Sequence, residues 1–196
     1  SNPATLGPMR ADEKQLAGFF QSTIARTAGF NSIDISAMHP VSWLGLDLLM
    51  LIGGGPAGTA GGLKVTTVAV LGFIAWTEIT GGTAVHVLGK RLSRSVQRQA
   101  ITVVVLALGA VTTATMVLML LHEDIGLDRI LFETISAFAT VGLSTGITAD
   151  LSPAAQGVLI ALMFLGRLGP ITVATAMAAR PRKALYELPK ERPLIG

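Results

Sequence analysis

The tightest constraint on this chain is an unbroken run of 22 residues, Ala100–Leu121, without a single charged side chain. As a helix rising 1.5 Å per residue it would be about 33 Å long, enough to cross the hydrocarbon core of a bilayer. Two further apolar stretches, 41–80 and 154–179, flank it. With 51% hydrophobic and 14% charged residues, an ordinary water-soluble domain is excluded. The segment Phe132–Gly146, FETISAFATVGLSTG, lies between the second and third of these stretches and is polar and glycine-bearing. Against lipid its unpaired backbone groups would each cost on the order of several kcal/mol. It has to be buried in protein or line water, as a re-entrant loop at a pore does.

The same device occurs twice. At an offset of 113 positions Thr27 falls on Thr140, Gly29 on Gly142, Pro40 on Pro153, Leu49 on Leu162, Met50 on Met163 and Gly53 on Gly166. Phe19 also falls on Phe132, although the helices before the two loops match best with a one-residue gap. The chain therefore reads as two copies of a pore-helix, loop, long-helix unit, a kind of internal repeat common in membrane transport proteins.

The spacing predicts an all-α membrane protein of repeated helix–pore loop–helix units. Residues 1–80 form one unit without a leading span: pore helix 13–25, loop 26–31 and a broken span 41–80 interrupted by the glycine-rich segment 53–62. Residues 100–179 form a complete unit: span 100–121, pore helix 129–138, loop 139–146 and span 154–179. A unit that lacks its leading span is expected to continue N-terminal to residue 1. The linker 81–99 carries Lys90, Arg91, Arg94 and Arg98 with no acidic residue, and the tail 180–196 carries five basic residues. Under the positive-inside rule both are cytoplasmic, which makes the protein a multi-pass span of the cell membrane with its C-terminus inside. Both pore loops then enter from outside.

Several function classes drop out. The absence of cysteine removes disulfides, thiol catalysis and cysteine-ligated metals. The net charge of +3 comes from loops beside apolar runs, which signals topology and not nucleic acid. His39, His86 and His122 share no ligand spacing, so no bound metal or cofactor is expected, and no nucleophile–base pair is evident. The run Gly53–Gly62, GGGPAGTAGG, lacks the Gly-Lys-Ser/Thr ending of a phosphate loop, because Leu63 separates Gly62 from Lys64. Two rivals to transport are an intramembrane enzyme, for which Asp47, Lys64 and Arg167 are the candidates at depth, and a structural or assembly subunit whose glycines serve packing alone.

RTAGFNS, GGGPAGTAGGLK, FETISAFATVGLSTG and FLGRLGP occur in this order, and with them the chain resembles the C-terminal half of the Trk/Ktr superfamily of potassium transporters, KtrB/TrkH-type membrane subunits. The likeness covers nearly the whole chain. It implies a K+-channel-like fold in which four units in one polypeptide surround one pore, this chain holding the last two. It implies K+ uptake, with Na+ or H+ as a coupling ion, by a homodimer on a cytosolic ring of nucleotide-binding regulatory subunits of the KtrA/TrkA kind.

The resemblance makes Gly29 and Gly142 filter glycines, and the residues agree. An entering K+ loses water and needs replacement oxygens from fixed carbonyls, and turning successive carbonyls to one side demands φ values that most residues avoid. The filter candidates are Thr27, Ala28 and Gly29, with Thr140, Val141 and Gly142. By the same carry-over Gly53, Gly54, Gly55, Gly58, Gly61 and Gly62 belong to an intramembrane gating loop, and Arg167 is the basic residue below the filter. At mid-span a guanidinium costs about 2.5–3.5 kcal/mol on insertion scales, so it faces water or the bundle interior. The competing role for Arg167 is a packing salt bridge with Asp47 or Glu133, and for the glycines close helix packing.

Overall fold

The computed structural model describes residues 5–55, 60–82, 84–87 and 89–169. Among the described residues six α-helices carry the fold: α1 (Ala11–Ile24), α2 (Pro40–Leu51), α3 (Val65–Ile79), α4 (Arg94–Leu121), α5 (Leu127–Ala139) and α6 (Pro153–Leu168). A two-stranded antiparallel hairpin, β1 (His86–Val87) with β2 (Lys90–Arg91), joins α3 to α4.

Local chemistry sets the starts of α1, α2 and α6. The backbone N–H of Arg10 donates to Glu13 Oε2 (2.9 Å), which satisfies a donor at the start of α1, where Asp12 and Glu13 also suit the positive end of the helix dipole. Pro40 and Pro153 occupy the first positions of α2 and α6, where a missing N–H costs nothing. Ser152 Oγ accepts the Ala155 N–H of α6.

Short, buried α5 is the centre of the packing and lies against α2, α4 and α6. Ile130, Phe132 and Phe138 on it are fully enclosed. Long α4 is buried along one stripe only, through Val103, Ala107, Val111, Ala114 and Leu118, while Val105, Met116 and Leu120 on its other side are exposed. This is the burial pattern of a span with one face on protein and one on lipid. Thr115 on the buried stripe meets Thr134 of α5, hydroxyl to hydroxyl at 2.9 Å. At the far end of α4 the Ser152 N–H donates to His122 Nε2 (3.0 Å), which ties α4 to the start of α6. Trp43 of α2 donates its Nε1–H to the Ile35 carbonyl (2.8 Å) and lies under the Arg129 guanidinium of α5 at 5.8 Å.

Two boundaries differ from the sequence reading by more than two residues. Helix α4 begins at Arg94, inside the basic linker. Apolarity marks the part of a helix that sits in hydrocarbon, and Arg, Gln and Ser continue the helix into the interface. Helix α6 closes at Leu168, where Gly169 takes φ 77°, while the apolar stretch runs on to 179. Residues 170–179 and the tail 180–196 lie outside the described residues. By length and composition α4 is the one described helix able to cross a membrane, and α2, α3 and α6 are shorter apolar helices. The break between α2 and α3 falls at the glycine-rich run. The chain leaves at Gly53 and returns beside its point of departure, with a parallel bridge between Ile52 and Leu63 and Val65 N–H donating to Gly54 O (3.3 Å).

Candidate functional site

The two Thr-x-Gly loops share an unusual backbone. Thr27 has φ 72° and Thr140 φ 53°, the only positive values at non-glycine residues among those described, and they stand at repeat-equivalent positions. A β-branched residue in the left-handed region costs on the order of 1–2 kcal/mol. Two residues on, Gly29 (φ 76°) and Gly142 (φ 90°) are left-handed at no such cost. Each loop thus has left-handed residues separated by one other, Ala28 or Val141. Such alternation turns successive peptide dipoles toward one side instead of alternating them as a strand does.

The loops lie against each other. A Cβ added at Gly29 would land on the carbonyl oxygen of Val141, and one added at Gly142 would sit 3.7 Å from the Cα of Gly29. Helix α5 runs straight into the second loop, with Thr140 N–H donating to Ala137 O (3.1 Å) and Val141 N–H to Ser136 O (3.0 Å). The carboxyl end of a helix carries partial negative charge, so α5 presents a cation-favouring end at Thr140.

Below this point two segments close on the last turn of α5. A Cβ at Gly61 would meet the Thr140 hydroxyl and lie 2.8 Å from the Ala139 carbonyl oxygen, and one at Gly62 would lie 3.2 Å from the Ala139 Cα. A Cβ at Gly166 would land on the Phe138 carbonyl oxygen. Gly53 is just as tight, its Cβ position being 2.5 Å from Gly61 O and 2.9 Å from Leu63 O. Gly54 approaches the Ala60 methyl (2.8 Å) and Gly55 meets nothing within 4 Å. The Gly61–Gly62 end of the run is therefore seated directly beside Thr140 and Ala139, and the Gly53 end is seated against Gly61 and Leu63. Gly58 lies outside the described residues.

Arg167 follows Gly166 at the end of α6 and lines a cleft of about 510 Å³ together with Glu133, Ser136, Thr140, Gly142 and Leu159. Asp47 is buried on α2, and its Oδ1 has no hydrogen-bond partner. Lys64 donates its ammonium to the Ala60 carbonyl within the glycine-rich run (2.5 Å). Among the described residues no group of three or more His, Asp or Glu side chains could hold a metal ion.

The loop exit holds what sequence reasoning did not single out. Ser136 Oγ donates to the Leu143 carbonyl at 2.6 Å. Glu133 accepts from Ser144 Oγ (2.6 Å), Thr145 N (2.9 Å) and Thr148 Oγ1 (2.9 Å). The signal was there to read: one carboxylate in the middle of a pore helix, followed by a Ser/Thr-rich exit.

Known proteins resemble this chain in sequence and in fold. A family model described as "TrkH: Cation transport protein" matches residues 2–187. The "Ktr system potassium uptake protein B" of Vibrio alginolyticus is 40% identical over the whole of this chain, which covers 42% of that protein. The protein of the same name from Bacillus subtilis (strain 168) is 36% identical over 91% of the chain and 40% of its own length. The chain thus spans about two fifths of these relatives. In fold it matches the crystal structure of the potassium transporter TrkH from Vibrio parahaemolyticus with a TM-score of 0.76 at 20% identity, over 88% of this chain and 39% of that one.

Close backbone approach makes a stability prediction. Gly29→Ala and Gly166→Ala each force a methyl group onto a carbonyl oxygen and are expected to cost about 1–3 kcal/mol. Gly157→Ala, in α6 with nothing within 4 Å of its Cβ position, is expected to be neutral or to stabilise by up to about 1 kcal/mol. Thermal unfolding in detergent micelles checks the contrast, and a Gly166→Ala variant that melts with the parent refutes it.

Proposed function

Because the chain belongs to the TrkH cation transport protein family, we propose that it contributes two of the pore loops of a potassium-uptake protein of the cell membrane. In this reading the carbonyls of Thr27, Ala28 and Gly29, and of Thr140, Val141 and Gly142, replace water around K+. The observation that carries it is the pair of repeat-related loops, lying side by side, with left-handed residues at Thr27, Gly29, Thr140 and Gly142. Strain repeated at equivalent places is kept for a use. A purely structural subunit has no need of it. Uptake is inward, with Na+ or H+ as coupling ion. The homodimer and the cytosolic nucleotide-binding ring come from the family resemblance and belong to the same proposal.

The test uses the full-length protein carrying this chain in K+-uptake-deficient cells, with radioactive rubidium as tracer. The parent is expected to restore uptake, and Gly142→Ser to lower apparent K+ affinity and discrimination against Na+ at normal membrane abundance. An unchanged K+/Na+ preference in both Gly29→Ser and Gly142→Ser overturns the filter reading. A parent that moves no ion favours the assembly subunit.

Orientation follows from the basic linker: residues 81–99 and the C-terminal tail face the cytoplasm. The chain has no cysteine, so one placed at the exposed Ser95 is the sole thiol in this chain. It is expected to stay unlabelled by an impermeant maleimide added to intact cells, and labelling from outside reverses the orientation.

The gate is the third part of the proposal. What supports it is the close approach of Gly61 and Gly62 to Thr140 and Ala139, and the cleft that Arg167 and Thr140 both line. A guanidinium in the path of a cation repels it. Deleting Gly58–Ala60 and changing Arg167→Ala are each expected to raise the flux, and the two gains to combine less than additively in ΔG‡. If both variants reach the membrane and conduct no better than the parent, there is no such barrier, and Arg167 has a packing role.

A further inference from the structure

The carboxylate of Glu133 takes no part in the filter proposal, yet it is the most heavily bonded side chain around the second loop. Only 5% of it is exposed, on a helix whose other buried side chains carry no charge. Its Oε1 accepts from Ser144 Oγ (2.6 Å), from the Thr145 backbone N–H (2.9 Å) and from Thr145 Oγ1 (3.1 Å), and its Oε2 accepts from Thr148 Oγ1 (2.9 Å). Ser144 Oγ in turn accepts the Gly146 N–H (2.9 Å). Four converging donors offset the desolvation of a buried carboxylate, and bonds to a charged acceptor are the strong ones.

The donors lie on the stretch of chain that follows Gly142. Ser136, one turn further along α5, holds the residue between them through the Leu143 carbonyl (2.6 Å). Two side chains of one helix thus pin the backbone from Leu143 to Thr148. Upstream, the last turn of α5 pins Thr140 and Val141 through their N–H groups. Gly142, exposed and the softest link in the segment, is left between two fixed points.

The repeat does not impose this carboxylate. At the ungapped offset the counterpart of Glu133 is Phe20, and with the one-residue gap it is Gln21. Neither is acidic. The first exit instead closes on itself, with Asp34 accepting from Ser36 N (2.9 Å) and Ser36 Oγ (2.6 Å), bonds that hold the Asp34 carboxyl below the usual carboxylate range. Thr27 and Gly29 are left-handed although the buried amide of Gln21, at the counterpart position, makes no hydrogen bond. The fold can therefore form such a loop without the acid, and Glu133 serves the second loop in particular.

We propose that Glu133 is a positioning residue for the Thr140–Gly142 loop: by anchoring residues 144–148 to α5 it fixes how closely the carbonyls of that loop can approach an ion. A loop held from both ends cannot contract around the smaller Na+, so the anchor favours K+. The inference rests on reading Thr140–Gly142 as part of a filter. It does not depend on the gate or on Arg167.

The experiment measures rubidium uptake with Na+ as competitor, on the full-length protein in K+-uptake-deficient cells, with membrane abundance measured alongside. Glu133→Gln keeps the volume but turns an N–H toward donors that need an acceptor. It is expected to reduce the preference for K+ over Na+ about tenfold, the loss of roughly one charge-assisted bond. Thr148→Val removes the bond to Oε2 alone and is expected to reduce the preference about threefold. Should Glu133→Gln fail to reach the membrane, Thr148→Val and Ser144→Ala decide the question in the same assay. Preference retained in variants that are present at parent levels, while Gly142→Ser loses it, overturns the anchor and leaves the filter standing. Preference retained in Gly142→Ser as well removes the filter reading, and the anchor with it.

Discussion

The carboxyl end of α5 is where separate pieces of the chain come into backbone contact, and the rest of the molecule is arranged to allow it. Phe138, Ala139, Thr140 and Val141 are met by Gly166, by Gly61 and Gly62, and by Gly29 in turn. At each of these glycines, except Gly62 with its 3.2 Å contact, a methyl group would reach a neighbouring atom at 2.8 Å or less. At Gly29 and Gly166 the nearest atom is a backbone carbonyl oxygen, and at Gly61 the Thr140 hydroxyl is joined by the Ala139 carbonyl oxygen, so side-chain repacking alone cannot relieve the contact. The short helix is consequently enclosed on several sides, with its negative dipole end directed at the two Thr-x-Gly loops. What can be built at such a point is a place where fixed carbonyls and a helix terminus share a small space from which side chains are excluded.

Enclosing a helix in this way reverses the usual distribution of polarity. The outward faces of α3 and α4 are apolar, with Trp76 and Leu120 exposed, while polar groups cluster inside on α5. Between helices in lipid there is no hydrophobic gain from association, so packing and hydrogen bonds hold them together. The Thr115–Thr134 pair, the Ser136–Leu143 bond and the four bonds to Glu133 are of that kind. They are concentrated where α5 meets α4 and the second loop, which makes this unit the better fastened of the two.

The glycine-rich run has two separable roles. At its ends glycine is required by contact, since Gly53, Gly61 and Gly62 touch Leu63, Thr140 and Ala139. Gly55 meets nothing within 4 Å, so no contact explains it. Contact therefore explains part of the run and not the whole of it. Gly61 and Gly62 hold the run beside Thr140 and Ala139, while the Gly55 position is open. The bridge between Ile52 and Leu63 lets the excursion leave and rejoin the span at nearly one place.

Much of this was legible in the residues. Apolar runs and turn chemistry marked stretches that overlap the described α-helices, because proline, glycine and charge act locally and hydrocarbon tolerates little else. The offset that pairs Thr27 with Thr140 and Gly29 with Gly142 marked both loops before their backbone was known. Repeat position is a property of the chain and needs no coordinates. What the residues could not disclose is contact between segments far apart. That Gly29 touches Val141, that Gly61 abuts Thr140 and that Gly166 crosses Phe138 depends on how the helices cross, and many crossings satisfy the same pattern of apolar residues. Glu133 shows the limit most clearly. By itself it was a stray acid in an apolar helix with several conceivable partners, and only the path of the chain after Gly142 decided that its oxygens would be taken by Ser144, Thr145 and Thr148.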